Sequence, residues 1–492
     1  MTLNVRNYNN KEMLLFPASI GDYLPKGHLS WVIDEVVDQL DLNCLYKKVP
    51  MVGNPSYHPR MMLKILFYGY ATSRFSSRKI AQSLESDVAF IFLSGMQKPD
   101  FRTISDFRKN NTEELAEIFV QIVRLLREIG LIELGHISLD STVIKASARR
   151  DNFYDKEQLD EEERKIKSLL GIAKEIDDKE DKVYGSQLRG DELPKELQTP
   201  SKRLEKIKEA KNRIEEKSLK EINLTDPDAT FQRQNDHAVR PGYRAEVSVD
   251  AKSQVIIACD VINKRADYDE LIPLIDEIGK NLPEFTSKES IVITADSGYS
   301  SMERLKELES KDYIDAYIPD AKYQGKQRGK KIDEDSPFHK KHFIYNSQKD
   351  FYVCPNSKKL TLRCRRREKS GAMCTIYQCH ECQRCKYFGN CTKSSIGREI
   401  RIYDNRDVLY RMRQKLDTIK GKKIYQKRKT IIEPVFGNIK HNLKFREFLL
   451  RGLSKVKAEF RLIAIVHNIG KIAKVLRQQV SYRTELVPLL AT

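Results

Sequence analysis

The sequence predicts an α/β fold, in which a mixed sheet flanked by helices follows an all-α N-terminal domain and is interrupted by two insertions. Residues 1–125 carry apolar positions at helical spacing, whereas short strands alternate with helices over 126–480. Their order is strand, hairpin, helix, strand, helix, strand, insertion, helix, which is typical of an α/β layer. The insertions are a charged helical segment at 151–225 and a basic, cysteine-rich segment at 320–404, and residues 481–492 form a C-terminal tail.

Composition narrows the class of partner. Lysine and arginine total 88 against 70 acidic residues in 492, a formal charge of +18. Such an excess favours a polyanion such as nucleic acid over an acidic small molecule. No run of about 18 apolar residues occurs and the N-terminus lacks a secretion signal, so we expect a soluble protein without a membrane partner.

The N-terminal domain contains two short helical patterns, 77–84 and 103–109, that are compatible with a helix-turn-helix. A plain helical bundle with solvated lysines explains the same pattern, and the sequence leaves both interpretations open. In the first interpretation the second helix presents four residues to DNA: Arg102, Ser105, Arg108 and Lys109.

Two acidic residues lie on predicted strands. Asp140 is in the middle of the apolar, β-branched segment 136–144, and Asp296 ends the apolar segment 290–296 just before Ser297-Gly298. A glycine there allows a tight turn after the strand. Because an aspartate in an apolar strand is costly unless it is paired or binds a metal, Asp140 is the more informative of the two.

A third acid lies in the segment 425–440. Glu433 and Lys440 are seven residues apart, which places both on one face of a helix. Residues 421–480 contain 15 lysines and arginines against three glutamates, a formal charge of +12. Glu433 is therefore either a salt-bridge partner or a functional ligand. Pro434 predicts that the helix begins or bends at this point.

Three converging carboxylates suit phosphodiester chemistry. Two divalent cations can activate the attacking oxygen and neutralise the leaving one, and Mg²⁺ prefers hard oxygen ligands. Asp140 and Asp296 reach the same edge of the sheet if their strands are neighbours, so we expect the two carboxylates and Glu433 to converge there.

Three motifs together resemble those of bacterial insertion-sequence transposases of the Asp/Asp/Glu type: Leu139-Asp-Ser-Thr142, Thr294-Ala-Asp-Ser-Gly-Tyr299 and the segment 425–440. The resemblance covers about 26–110, similar to the family's helical N-terminal domain, and about 135–475, similar to its ribonuclease-H-like catalytic domain. It implies that Asp140, Asp296 and Glu433 bind two Mg²⁺ or Mn²⁺ ions.

The resemblance also implies DNA contacts and an activity. Tyr425, Arg428 and Lys440 match a Tyr/Arg/Glu/Lys motif that binds transposon ends, although four residues rather than the usual three separate Arg428 from Glu433, so Lys429 could take the arginine's place. The implied activity is metal-dependent cleavage at the terminal inverted repeats and strand transfer into target DNA. A homodimer on DNA, in the bacterial cytoplasm with the nucleoid, is expected.

Two other functions remain open. A hydrolytic nuclease of the same fold would use the same ions without strand transfer. A non-catalytic DNA-binding derivative of a transposase would not need all three acids, so their presence argues against it.

Seven of the nine cysteines lie between Cys354 and Cys391. Such clustering in a protein without a secretion signal favours metal ligands over disulfides. A structural, tetrahedral Zn²⁺ site could use Cys354 with Cys382, Cys385 and Cys391, or Cys379 in place of one of them. The alternative is a set of reduced cysteines in a small β-rich subdomain.

Overall fold

A computed structural model describes residues 19–50, 52, 54–168, 195–234, 236–264, 269–329, 336–368, 373–404 and 406–480. The chain divides into two compact units. The first contains the described residues up to Ile129 together with 441–445 and those from Arg461 onward, and the second contains 130–440 and 446–460. The sequence-based domain that spans 126–480 remains a prediction beside this division.

The first unit consists of helices. They are α1 (Leu29–Asp38), α2 (Asn43–Tyr46), α3 (Pro59–Ala71), α4 (Ser77–Ser86), α5 (Val88–Ser94), α6 (Phe101–Asn110) and α7 (Glu114–Glu128), after a 3₁₀ turn at Ile20–Tyr23. Asp100 caps α6, since its carboxylate accepts the N–H of Thr103 at 2.7 Å. Helix α5 lies between α4 and α6 in the sequence, so the two predicted helical patterns are not joined by a simple turn.

The second unit is built on a mixed sheet. Its strands are β1 (His136–Lys145), β4 (Thr230–Arg233), β5 (Val239–Asp250), β6 (Val255–Ile262), β7 (Ile291–Thr294) and β8 (Ile314–Tyr317). A separate short pair is formed by β2 (Phe153–Tyr154) and β3 (Ile222–Asn223). The main order is β4-β5-β1-β7-β8, with β6 also paired to β5.

Strand direction in this sheet matches the predicted fold class. β5 pairs antiparallel with β1, β4 and β6, whereas β1 and β7, and β7 and β8, are parallel. An antiparallel hairpin that continues into two parallel strands is the arrangement of a ribonuclease-H-like sheet. The predicted fold class is confirmed.

Helices flank this sheet. They are α10 (Leu271–Asn281), α11 (Met302–Glu309), α12 (Ala321–Gln327), α13 (Arg406–Asp417) and α14 (Ile419–Gly437), followed by a π-helical turn at Asn438–Asn442. α10 packs on β5 and β6, and α14 packs on β1, β5, β7 and β8. Helix α15 (Leu453–Val480) begins in this unit and continues in the first.

Both insertions are present. In the first, α8 (156–168) and α9 (Lys195–Lys217) share a small apolar core with Leu159, Ile207 and Ile214, and residues 169–194 lie outside the described residues. The second contains an antiparallel sheet in the order β13-β12-β11-β10-β9. Its strands are β9 (Ile344–Asn346), β10 (Phe351–Val353), β11 (Lys359–Arg367), β12 (Met373–Gln378) and β13 (Glu399–Tyr403).

Candidate active site

The register of β1 and β7 brings Asp140 and Asp296 together. Ser138 of β1 pairs with Thr294 of β7 in this parallel pair, and each aspartate follows two residues after one of them. Since alternate residues of a strand face the same side, both carboxylates lie on one face of the sheet near the carboxyl end of β7. Burial raises the pKa of Asp140, Arg428 opposes that shift, and the nearby charge of Asp296 adds to it.

Local backbone contacts orient both carboxylates. Asp140 accepts the N–H of Ser141 at 2.9 Å, and Asp296 accepts the N–H of Gly298 at 2.7 Å where the chain turns after β7. The predicted tight turn is therefore present, and it holds Asp296 at the edge of the sheet.

Neutral polar side chains precede the aspartates on the same face. The Thr294 hydroxyl lies 2.8 Å from that of Ser138 and 3.0 Å from Nε2 of His136. Burial, assisted by the positive charge of Lys427, lowers the pKa of His136 to about 4. His136 is thus neutral near pH 7 and places no cation beside the carboxylates.

Helix α14 places Arg428 and Tyr425 against this carboxylate pair. Arg428 Nη1 donates to Asp140 Oδ2 at 2.7 Å, and the two side chains are only 12% and 20% exposed. Tyr425 is one helical turn earlier, with its ring centroid 5.9 Å from the Arg428 guanidinium. Burial raises the pKa of Tyr425, and the negative charge of Asp296 adds to this shift. At Arg428 burial acts to lower the pKa, but the negative charges of Asp140 and Asp296 contribute to a pKa that is raised overall.

Glu433 is placed differently from the two aspartates. It is exposed, and five residues after Arg428 it is rotated by about 140° around the helix. Among the residues that the structure describes, no three His, Cys, Asp or Glu side chains are arranged to hold a metal ion. The structure brings Asp140, Asp296 and Arg428 together and leaves Glu433 outside that group.

The helix that carries Glu433 does not begin at Pro434, as the sequence had suggested it could. It begins at Ile419, where the Thr418 hydroxyl accepts the N–H of Gly421 at 2.9 Å, and it continues past Pro434 to Gly437. Lys440 follows in the π-helical turn, and its Nζ donates to the carbonyl of Val143 at 3.0 Å. Burial lowers the pKa of Lys440.

A basic groove opens beside Arg428. Its volume is about 420 Å³, and its walls come from α12, from α14 and from the end of α13. Four of its lining side chains are cationic and none of the described ones is acidic: Arg328, Lys422, Arg428 and Lys429. Sequence reasoning missed Arg328 because it lies at the start of the segment that was assigned to the cysteine-rich insertion.

Of the two arginines predicted to bind DNA in the N-terminal domain, one is buried. Arg108 is 4% exposed and donates to the Tyr70 hydroxyl at 2.8 Å and to the Phe75 carbonyl at 2.9 Å. The prediction for Arg108 is corrected, because its guanidinium binds groups of its own unit and is not presented to a ligand. Arg102 is exposed and lies over the ring of Phe101.

Five cysteines of the second insertion line one small cavity of about 20 Å³: Cys354, Cys379, Cys382, Cys385 and Cys391. Three of the sulfurs accept hydrogen bonds at 3.3 Å. The donors are the N–H of Lys358 to Cys354, the N–H of Arg398 to Cys382 and the Asn356 side-chain amide to Cys385. Such donors stabilise negative charge on sulfur.

None of the helices in the described ranges combines the length and the apolar character needed to cross a membrane.

Comparison with known families agrees with this architecture. Residues 18–110 match the family model described as a transposase domain (DUF772), and residues 353–473 match the model described as a transposase DDE domain. The second match includes the cysteine cluster, Glu433 and Lys440. No curated protein matches the chain. Two family models over separate segments, with paired aspartates on a ribonuclease-H-like sheet, support an insertion-sequence transposase of the DDE family.

Proposed function

We propose that this transposase cleaves DNA at the terminal inverted repeats of its element and joins the freed 3′ ends to target DNA. The observation that carries the proposal is the pair of neighbouring carboxylates, Asp140 and Asp296, beside a groove lined by four cations. Carboxylates provide the chemistry of strand cleavage, and the groove provides a surface for the phosphate backbone.

Asp140 and Asp296 fit a divalent metal centre. Their oxygens are hard ligands, and the ion pair between Asp140 and Arg428 indicates that the site favours positive charge. We assign Asp140, Asp296 and Glu433 as ligands of two Mg²⁺ or Mn²⁺ ions, with Glu433 included because of its motif. The ions would supply charge neutralisation at the attacking and leaving oxygens.

In this proposal the Arg428 guanidinium binds either the Asp140 carboxylate or a DNA phosphate. In this structure it donates to Asp140. A phosphate in the groove offers the guanidinium an alternative acceptor for two hydrogen bonds, and Arg428 then releases the carboxylate. Tyr425, Lys429 and Lys440 complete the DNA-binding set on α14 and its π-helical turn, and Arg102 contributes from the first unit.

The direct test uses end-labelled terminal-repeat DNA with a supercoiled plasmid target. Wild-type protein with Mg²⁺ is expected to yield cleaved ends and plasmid-joined products, whereas Asp140→Asn yields neither and still shifts the labelled DNA. Cleaved ends without joined products would assign a hydrolytic nuclease instead. DNA binding without cleavage by the wild type would assign a non-catalytic derivative.

Two further features belong to the proposal. Coordinated action on two ends requires two catalytic centres, so we expect a homodimer on DNA, which light scattering of the complex with terminal-repeat DNA would detect. Because the substrate is chromosomal DNA, we place the protein with the nucleoid in the bacterial cytoplasm.

A structural Zn²⁺ in the second insertion is also proposed. Five thiols line one cavity, and three of them accept hydrogen bonds, which supports a thiolate site that uses four of them. Since no three of the described side chains are already arranged to hold an ion, these thiols would have to close around the zinc. We expect one zinc per chain by atomic absorption and its loss in Cys382→Ser, with Cys44→Ser as the control. An unchanged zinc content in Cys382→Ser would contradict this assignment.

A further inference from the structure

We propose that Gln254 is a positioning residue that fixes helix α14 to the catalytic sheet at the point where Pro434 interrupts the helix. The inference rests on the proposed function, because its consequence is the position of Arg428 and Glu433 relative to Asp140. The contacts of Gln254 that support the inference are different from the carboxylate pair and the basic groove that support the proposed function.

Pro434 leaves one backbone acceptor without its helical donor. In an α-helix the carbonyl of residue 430 accepts the N–H of residue 434, and proline has no N–H. Thr430 lies two residues after Arg428 and three before Glu433, so the gap falls inside the functional part of α14. In this structure Gln254 Nε2 donates to the Thr430 carbonyl at 3.0 Å.

The turn that holds Gln254 is attached to the first strand of the sheet. Gln254 immediately precedes β6, in the turn between β5 and β6. In this turn the N–H of Ala251 donates to the His136 carbonyl at 2.9 Å, and Asp250 accepts the N–H groups of Leu134 at 2.9 Å and Lys252 at 3.0 Å. The Gln254 amide therefore connects α14 to the beginning of β1, the strand that carries Asp140.

The backbone conformation of Gln254 is unfavourable for residues other than glycine and asparagine, which is consistent with a role for its side-chain hydrogen bond to Thr430. Its φ is +57°, in the left-handed region that glycine and asparagine adopt more readily. A glutamine at this position accepts a backbone cost that a glycine would avoid. The amide at the end of its side chain reaches helix α14 from the β5–β6 turn.

We call the hydrogen bond between Gln254 and Thr430 the tether, and its removal should change amide hydrogen exchange and the Mg²⁺ dependence of cleavage. In Gln254→Ala, amide hydrogen exchange over residues 431–437 is expected to rise about five- to tenfold, which corresponds to one lost hydrogen bond. The Mg²⁺ concentration for half-maximal cleavage is expected to rise at least about threefold, while affinity for DNA in EDTA stays within about twofold. Lys252→Ala is the matched control, since it shortens an exposed side chain in the same turn and keeps its backbone bond to Asp250.

The double variant Gln254→Ala with Pro434→Ala distinguishes two roles of Gln254: attaching α14 to the β5–β6 turn, and supplying a hydrogen-bond donor to the Thr430 carbonyl. The alanine that replaces Pro434 restores the N–H that the Thr430 carbonyl lacks, so exchange over 431–437 returns to the wild-type rate. We expect the raised Mg²⁺ requirement to persist, because the link to the β5–β6 turn is still missing. Full recovery of the Mg²⁺ dependence in the double variant would overturn the positioning role.

The two failures are distinguishable. A wild-type protein that does not cleave in any metal refutes the proposed function, and exchange in Gln254→Ala still decides whether the tether exists. A wild-type protein that cleaves, with unchanged exchange and unchanged Mg²⁺ dependence in Gln254→Ala, refutes the tether alone.

Discussion

The sheet edge and helix α14 both carry acids of the same three-part motif, but the structure treats them differently. On the sheet, Ser138 of β1 pairs with Thr294 of β7, and Asp140 and Asp296, each two residues later, lie on the same face. On the helix, Arg428 reaches Asp140 whereas Glu433 is exposed. Strands repeat every two residues and are held in register by backbone hydrogen bonds, whereas one added residue rotates a helix by about 100°.

This contrast indicates which part of the motif tolerates a change in spacing. Asp140 and Asp296 depend on the register that the backbone pairing of β1 with β7 defines. Glu433 depends on the number of residues between it and Arg428, which is four here and not the three that are usual in the family it resembles. Substitutions at the sheet edge and on α14 test whether this contrast has functional consequences.

The largest effect is expected at the sheet edge. Asp140→Asn should lower the cleavage rate by at least about 10³-fold, because the carboxylate that we propose as a metal ligand is replaced by a neutral amide. Asp312→Asn, which changes an exposed aspartate before β8, should leave the rate unchanged. Quantitative cleavage of labelled terminal-repeat DNA checks both. An Asp140→Asn rate within about tenfold of wild type would remove this carboxylate from the chemistry.

A second prediction concerns the helix. If α14 turns Glu433 towards the aspartates when metal and DNA are bound, Glu433→Gln should slow cleavage by about 10²-fold or more and leave DNA affinity unchanged. The measurement is single-turnover cleavage with saturating protein, alongside a filter-binding assay in EDTA. Wild-type rates in Glu433→Gln would mean that the exposed position of Glu433 persists in the working enzyme and that two aspartates suffice.

The sheet was predictable from sequence, and the orientation of individual side chains was not. β-Branched runs that contain Asp140 and end in Asp296 indicate buried strands, and their order specifies the α/β class. Arg108 and Arg428 show the limit, because Arg108 was predicted to bind DNA from a helix-turn-helix pattern and Arg428 from its motif, and neither pattern specifies a neighbour. Arg108 is instead buried against Tyr70, and Arg428 pairs with Asp140. Charge in a sequence does not specify which neighbour neutralises it.

The sequence also indicated little about Arg328 and Gln254, because their roles depend on contacts with distant parts of the chain. Arg328 enters the groove through the packing of α12 against α14, and nothing in the surrounding lysine-rich sequence sets it apart. Pro434 predicts that the carbonyl of Thr430 needs a donor from elsewhere, since a proline inside a helix supplies no N–H. The identity of that donor was not predictable, because Gln254 and Thr430 are 176 positions apart in the chain.

The ion pair between Arg428 and Asp140 predicts a dependence on pH. Burial raises the pKa of Asp140 above 3.8, so folding without metal loses stability as the pH rises through this raised pKa. Arg428→Ala removes the cation that limits the shift, and it should destabilise metal-free protein by about 1–3 kcal/mol at pH 7 and by less at pH 4. Urea unfolding at both pH values checks this, with Lys423→Ala, which changes an exposed lysine, as the control. Equal destabilisation at pH 4 and pH 7 would contradict the assigned ion pair.

The smallest effects are expected in the basic groove, where we propose that the cations contact phosphates without taking part in the chemistry. Arg328→Ala and Lys422→Ala should each weaken DNA binding a few-fold, equally for terminal-repeat and unrelated DNA, and reduce the slope of log affinity against log salt by about one. Lys423→Ala is the matched control, since Lys423 is exposed on α14 but does not line the groove. An equal loss in all three variants would indicate general attraction to a +18 protein, whereas a loss in Arg328→Ala and Lys422→Ala alone would assign the path of the DNA between α12 and α14.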